Sequence, residues 1–355
     1  MGDLRIILTG GGTAGHVTPN LALLPYLKKE GFEIVYIGSD RYIESELIPQ
    51  MGITYYGIDT GMLRRYRTWK NITDPFKVFK GIHQARKVIK QYKPNIIFSK
   101  GGFVGLPVAF AGWLSRVPVI IHESDMTPGL ANKLALPVVR KICCNFPESA
   151  EHLPKGKAVL TGSPIRDELF TGDAQKGKAM CGFTDDKPVI MIIGGSLGAA
   201  SVNTAIREAL DNLLPKYNIV HICGKNKLDE GLNNTPGYVQ YEYVTDGLND
   251  IYALSDVVVS RSGANSICEI LALKKPNLLI PLVKASRGDQ ILNARSFEAQ
   301  GYSMVLPDDE CTKDALTNSI NALYENRDKY IAAMEQSTLK DAISTIIELI
   351  KKEMK

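Results

Sequence analysis

Two stretches of this chain share one layout, and that repetition limits the possible folds more than any other feature. Asn95 to Ile121 reads NIIFSKGGFVGLPVAFAGWLSRVPVII, and Asp256 to Ile280 reads DVVVSRSGANSICEILALKKPNLLI. Each opens with an unbroken apolar run, the signature of a strand buried on both faces of a parallel sheet. Each then turns on small residues, Ser99-Lys100-Gly101-Gly102 or Ser260-Arg261-Ser262-Gly263, and continues as a helix. A strand resumes after Pro118 or Pro276, because proline ends a helix. The later helix is expected to start near Ala264 and stop at Lys275. Strand, turn, helix, strand is a βαβ unit. Its turn lies at the carboxyl end of a strand, where open α/β sheets bind ligands.

Each of these units is preceded by a glycine turn. Gly10, Gly12 and Gly15 form G-x-G-x-x-G between a strand at 4–9 and a helix from about Pro19 to Glu30, with a second strand from Glu33 to Gly38. Further on, a strand from Pro188 to Ile193 meets Gly194-Gly195-Ser196-Leu197-Gly198 and a helix through about Leu210. The chain therefore has the α/β pattern of two Rossmann-like halves, and Thr161-Gly162-Ser163-Pro164 is the best hinge between them. Its 355 residues suit two domains of about 150 each. Asp40 could serve as the acid of a dinucleotide site, but two nucleotide-type halves favour group transfer over a dehydrogenase. The tail from Lys313 to Lys355 has a helical period, with Ile343, Ile346, Ile347 and Ile350 on one stripe.

Composition narrows the class. With 45% hydrophobic and 23% charged residues the chain can bury ordinary globular cores, and a net charge of +4 makes no case for nucleic acid. No apolar run approaches the roughly 18 residues that span a bilayer, and no signal-peptide pattern precedes the first strand. The six cysteines are scattered, and Cys143-Cys144 lacks metal-ligand spacing. A reduced, cytoplasmic protein without structural metal is expected.

Six motifs occur in order: GGTAGHVTP at 11–19, HESDMTPGLANK at 122–133, GSPIR at 162–166, GGSLGA at 194–199, SRSGA at 260–264 and GDQxxNA at 288–294. In this order they resemble the MurG family of bacterial peptidoglycan glycosyltransferases, glycosyltransferase family 28, across essentially the whole chain. The resemblance implies a GT-B architecture, two Rossmann-like parallel-sheet domains facing across a cleft. Residues 1–163 would form the acceptor and membrane-associating domain and 164–340 the UDP-GlcNAc domain. Residues 341–355 would form a helix packing back on the first domain. The implied activity is inverting transfer of N-acetylglucosamine from UDP-GlcNAc to the C4 hydroxyl of the MurNAc-pentapeptide of undecaprenyl-pyrophosphate-linked lipid I, giving lipid II. The implied partners are UDP-GlcNAc, lipid I, an anionic membrane surface and cell-wall synthesis proteins, at the cytoplasmic face of the cell membrane. A UDP-GlcNAc 2-epimerase or glycolipid glycosyltransferase of GT-B type is the alternative.

Residue by residue, the resemblance assigns Glu269 to the ribose hydroxyls, Ser196 and Arg166 to the donor pyrophosphate, and Gln290 to the sugar hydroxyls. Backbone around Val244 would face uracil, and Ala264, Asn265 and Ser266 would line the pocket through main-chain groups. The 11–15 turn, which includes Thr13, Ala14 and Gly15, with His16, together with Gly101-Gly102, would cradle the lipid pyrophosphate. The chain departs from better-known relatives at Ala14, where they have glycine, and at Ser124-Asp125, where they read Gln-Asn. A carboxylate at Asp125 only accepts hydrogen bonds unless protonated.

The residue types suit this chemistry. Displacing UDP at an anomeric carbon builds charge on the leaving pyrophosphate. The chain has no Asp-x-Asp to hold a metal, so no cofactor is required if a helix N-terminus at Ser196 and Arg166 supply the positive potential. His16 is the candidate base, with pyrophosphate binding as its other role, and Asp125 is the alternative base. Glu269, near the start of its helix, either accepts a cis-diol or merely offsets the helix dipole. His122 and Glu123 are expected to shape a turn, His83 and His152 to lie on the surface and His221 in a strand. Between 62 and 93, Trp69, Ile72, Phe76 and Phe79 stand among Arg64, Arg65, Arg67, Lys70, Lys77 and Lys80, a composition that suits an anionic membrane surface.

Overall fold

The structure, a computed structural model, describes residues 4–61, 70–194, 199–283, 288–339 and 341–354. They divide into two compact units, one running through Ile165 and resuming at Asp341, the other from Arg166 up to that point.

The first unit is a seven-stranded sheet with β1 (Leu4–Thr9), β2 (Phe32–Gly38), β3 (Thr54–Gly57), β4 (Ile96–Ser99), β5 (Val119–Glu123), β6 (Lys141–Cys144) and β7 (Ala158–Leu160). Its helices are α1 (Thr18–Lys29), α2 (Glu44–Gln50), α3 (Lys70–Tyr92), α4 (Gly102–Leu114) and α5 (Leu130–Ala135). The strand order is β3-β2-β1-β4-β5-β6-β7, with every pairing parallel.

The second unit contains α6 (Ala174–Cys181), β8 (Val189–Ile193), α7 (Ala200–Leu213), β9 (Asn218–Ile222), β10 (Tyr238–Tyr241) and α8 (Leu248–Leu254). It continues with β11 (Val257–Ser260), α9 (Ala264–Ala272), β12 (Asn277–Leu279), α10 (Asp289–Ala299), β13 (Met304–Val305), α11 (Lys313–Glu325) and α12 (Arg327–Glu335). Its six parallel strands follow the order β10-β9-β8-β11-β12-β13. In both sheets the order reverses beside the first strand, between β1 and β4 and between β8 and β11. That reversal is the topological switch point where doubly wound sheets take their ligands.

Burial explains the unbroken apolar strands. Val257, Val258 and Val259 are each wholly buried, as a sheet covered by helices on both faces requires. The helical tail comprises three helices. The last, α13 (Ala342–Glu353), begins with Asp341 capping the Ser344 amide at 2.9 Å. It lays Ile343, Ile346, Ile347 and Ile350 into the core that holds Leu23, Leu24 and Leu27 of α1. Arg140 pairs with Glu353 at 2.9 Å, and Lys351 pairs with Glu30.

The buried stripe makes α13 part of the first unit's core. Ile346→Ala, at a fully buried position, should cost about 2–5 kcal/mol. Calorimetric melting should show the loss in the first unit's transition, and a variant melting like wild type would contradict it.

Candidate functional site

In the first unit the turns after β1 and β4 lie on either side of the switch point, and their glycines are there for contact. Gly12 and Gly102 have φ of 86° and 75°, a region that favours glycine. A Cβ on Gly12 would stand 2.5 Å from the Phe103 ring, and one on Gly102 would stand 3.5 Å from the His16 ring. The structure thus brings together the two turns assigned to the acceptor pyrophosphate, with His16 at their junction. Thr13 Oγ1 lies 3.0 Å from His16 Nδ1. If Nδ1–H donates to that hydroxyl, Nε2 is the unprotonated nitrogen of the neutral ring. Thr13, expected as a ligand, stands beside the His16 ring.

Glu44, which pattern reading missed, supports this turn from below. It is fully buried at the first position of α2, accepting the Gly12 amide at 3.0 Å and the Ser39 amide at 3.3 Å. One amide of the expected pyrophosphate cradle is therefore already committed to a carboxylate. A Cβ on Gly11 would collide with that carboxylate, which accounts for the glycine there.

His122 and Glu123 end β5 and are structural, as their turn position suggests. His122 Nδ1 is 2.9 Å from Lys100 Nζ and its Nε2 is 2.9 Å from the Gly162 carbonyl. Burial first, and then the Lys100 charge, hold its pKa well below the usual value. The neutral ring consequently accepts from lysine and donates to the carbonyl. Glu123 accepts from the amides of Gly129 at 2.9 Å and Asp125 at 3.2 Å and from Asn132 Nδ2 at 2.8 Å. Burial and then the Asp125 charge push its carboxyl pKa up. His83 and His152 are exposed, while His221 is buried in β9 between Tyr238 and Asn203.

In the second unit, Gly263 starts α9 without a side-chain cap. The helical ladder begins with the Ile267 amide donating to the Gly263 carbonyl at 3.1 Å, so the amides of Ala264, Asn265 and Ser266 lie ahead of it in the first turn. Glu269 requires a correction. It is not near the helix start but sixth of nine residues, since α9 stops at Ala272 rather than Lys275. Lys274 takes a left-handed φ of 52°, which reverses the chain before Pro276. In the carboxyl half of a helix a carboxylate opposes the macrodipole, so the dipole account of Glu269 fails. Half-buried, its carboxyl is raised to about 7 by burial, with the Arg166 guanidinium acting in the opposite direction. The structure thus places Arg166 within electrostatic reach of Glu269.

Gln290 Oε1 accepts the Leu282 amide at 2.9 Å, and the Gln290 carbonyl accepts from Ser262 Oγ at 2.7 Å. This leaves the amide nitrogen as the group with which Gln290 can meet a sugar hydroxyl. Val244 is half-buried in the segment after β10, beside Tyr243, which is 59% exposed. Ser196 lies outside the described residues, as does the side chain of Ala14.

On α3, Phe76 and Phe79 are 73% and 71% exposed. Phe79 joins Val78, Ile82, Leu106, Phe110 and Leu134 around an apolar groove of about 290 Å³. The cations are not all unpaired: Lys77 meets Asp74 at 3.0 Å and Lys80 meets Asp59 at 2.8 Å. Arg64, Arg65, Arg67 and Trp69, with the side chains of Lys70 and Ile72, lie outside the described residues.

Known proteins match both halves. Residues 6–144 match the glycosyltransferase family 28 N-terminal domain and 189–349 the glycosyltransferase family 28 C-terminal domain. A UDP-N-acetylglucosamine–N-acetylmuramyl-(pentapeptide) pyrophosphoryl-undecaprenol N-acetylglucosamine transferase from Lachnospira eligens is 58% identical, covering 99% of both chains. The Clostridium tetani protein of the same name is 57% identical over 98% of both. The crystal structure of Acinetobacter baumannii MurG superposes with a TM-score of 0.79 at 24% identity, covering 98% of this chain and 99% of that one, which speaks to fold alone. The protein therefore belongs to glycosyltransferase family 28, among the UDP-N-acetylglucosamine–N-acetylmuramyl-(pentapeptide) pyrophosphoryl-undecaprenol N-acetylglucosamine transferases.

Proposed function

We propose that the chain moves N-acetylglucosamine from UDP-N-acetylglucosamine to the C4 hydroxyl of the muramyl sugar of lipid I, with inversion, giving lipid II. The observation that carries this is identity of 58% over almost the whole length of relatives named for that transfer. The second unit takes the donor, with Glu269 on the ribose hydroxyls, the first-turn amides of α9 on the nucleotide and the Gln290 amide on the sugar. The first unit takes the acceptor at the turns around His16 and Gly102.

In the reaction the acceptor oxygen bonds to the anomeric carbon as the bond from that carbon to the UDP oxygen breaks. His16 Nε2 takes the hydroxyl proton, and Arg166 with the N-terminus of α7 stabilises the leaving pyrophosphate. No divalent ion is required in this scheme, in keeping with a sequence without Asp-x-Asp. UDP release should need both substrates and persist under chelation. An epimerase would turn over without acceptor, and release of that kind would overturn the proposal. His16→Ala should lower kcat about 100-fold or more while donor KM stays near wild type; unchanged kcat would remove the base role.

Glu269 makes donor binding depend on pH. Its folded pKa of about 7 lies above the ordinary 4.5. The neutral acid therefore favours the fold fully below about pH 4.5, and that contribution is lost as pH rises through about 7. Ribose hydroxyls prefer the carboxylate, so donor KM should fall between about pH 6 and pH 8 as the group ionises. Glu269→Gln should weaken donor binding and flatten this profile. A variant that kept the wild-type slope would place the titrating group elsewhere.

Among the described residues no helix is long and apolar enough to cross a membrane. Association at the cytoplasmic face of the membrane through Phe76 and Phe79 is supported by their exposure and by the adjoining apolar groove. Because Lys77 and Lys80 already have acidic partners, the aromatic residues should dominate. Replacing both with serine should reduce sedimentation with anionic vesicles about tenfold, from roughly 1–2 kcal/mol of lost burial. Unchanged sedimentation would rule this surface out.

A further inference from the structure

The two units carry a buried cation at the same topological position. Lys100 follows Ser99 at the end of β4, and Arg261 follows Ser260 at the end of β11. Both strands stand immediately across the switch point from the first strand of their sheet. Lys100 is 1% exposed and Arg261 8%. A basic residue in a ligand-binding turn would ordinarily be taken for an anion ligand. Burial to this depth requires protein partners instead, because an uncompensated charge there is costly.

Those partners are the ends of the neighbouring strands. Arg261 Nη1 donates to the Ile280 carbonyl at 2.9 Å, one residue beyond β12, and to Asp308 Oδ1 at 2.6 Å. Its Nη2 donates to Ser201 Oγ at 2.9 Å in the first turn of α7, and Ser201 donates to the same Asp308 oxygen at 2.6 Å. One guanidinium thus ties the β11 turn to the end of β12 and to the opening of α7. Lys100 does the same in the other unit. Its Nζ reaches His122 Nδ1 at 2.9 Å, at the end of β5, and Ser124 Oγ one residue beyond. Through the His122 ring the link extends to the Gly162 carbonyl after β7.

We infer that Arg261 is a positioning residue for the donor turns and Lys100 its counterpart for the acceptor turns. Each holds amide-bearing segments in register from behind and touches neither substrate. The inference rests on the assignment of donor and acceptor to the two units made above. Small displacements of amides aimed at phosphate are expensive, so loosening a tie should weaken the substrate on its own unit. A role in folding alone would not separate the two substrates.

The test is steady-state kinetics of the full chain, varying UDP-N-acetylglucosamine and a lipid-linked muramyl-pentapeptide in turn. Arg261→Met should raise donor KM about tenfold or more with acceptor KM within about twofold, and Lys100→Met should do the reverse. If either variant is not obtained folded, Ser201→Ala and Ser124→Ala take their places, with shifts of about threefold in the same crossed pattern. Shifts that are uncrossed, or a change confined to kcat, would overturn the inference while wild-type turnover upholds the assigned function. A wild-type chain that fails to release UDP with this acceptor would overturn both.

Discussion

Parallel strands deliver all their carboxyl ends to one edge of a sheet, and the reversal of strand order leaves a gap there for backbone amides to face. That constraint organises both units. Around β1 and β4 it sets the His16 turn against Gly102, and around β8 and β11 it places the uncapped first turn of α9. Amides in such turns supply fixed partial positive charge without rotamer freedom, which suits a diphosphate ligand. Much of the surrounding polar structure keeps those amides aimed.

The burial of charged groups fits that purpose, although each case carries its own cost. Glu44 is held by two amides, Glu123 by two amides and an asparagine, and Arg261 by a carboxylate, a carbonyl and a hydroxyl. Glu269 differs, since burial lifts it to about 7 with only the Arg166 charge working against the rise. A carboxylate kept this uncomfortable is what a diol can relieve, because two hydroxyls replace the hydration it lost.

Much of this could be seen in the order of residues. Val257-Val258-Val259 announces a doubly covered strand, and the paired segments after Asn95 and Asp256 announce two βαβ units, because buried parallel strands tolerate no polar interruption. The glycine turns were equally plain, since backbone with φ near 80° next to a packed ring leaves glycine little competition. What escaped depended on partners distant in the chain. Neither Lys100 nor Arg261 shows from its neighbours that it is buried, and Glu44 lies 32 positions from the glycine it holds. The end of α9 was misjudged by three residues because Lys274, not Pro276, makes the reversal. That difference moves Glu269 out of the first turn of α9, where the helix dipole would account for it.

The central claim is that Glu269, half-buried on α9 of the second unit, grips the two ribose hydroxyls of the nucleotide. Calorimetric titration with UDP and with 2′,3′-dideoxyuridine diphosphate, on wild type and on Glu269→Gln, measures that coupling directly. Wild type should bind the dideoxy ligand at least about tenfold more weakly than UDP, and the variant should scarcely distinguish them. Equal affinity of the wild-type protein for both ligands would contradict the account.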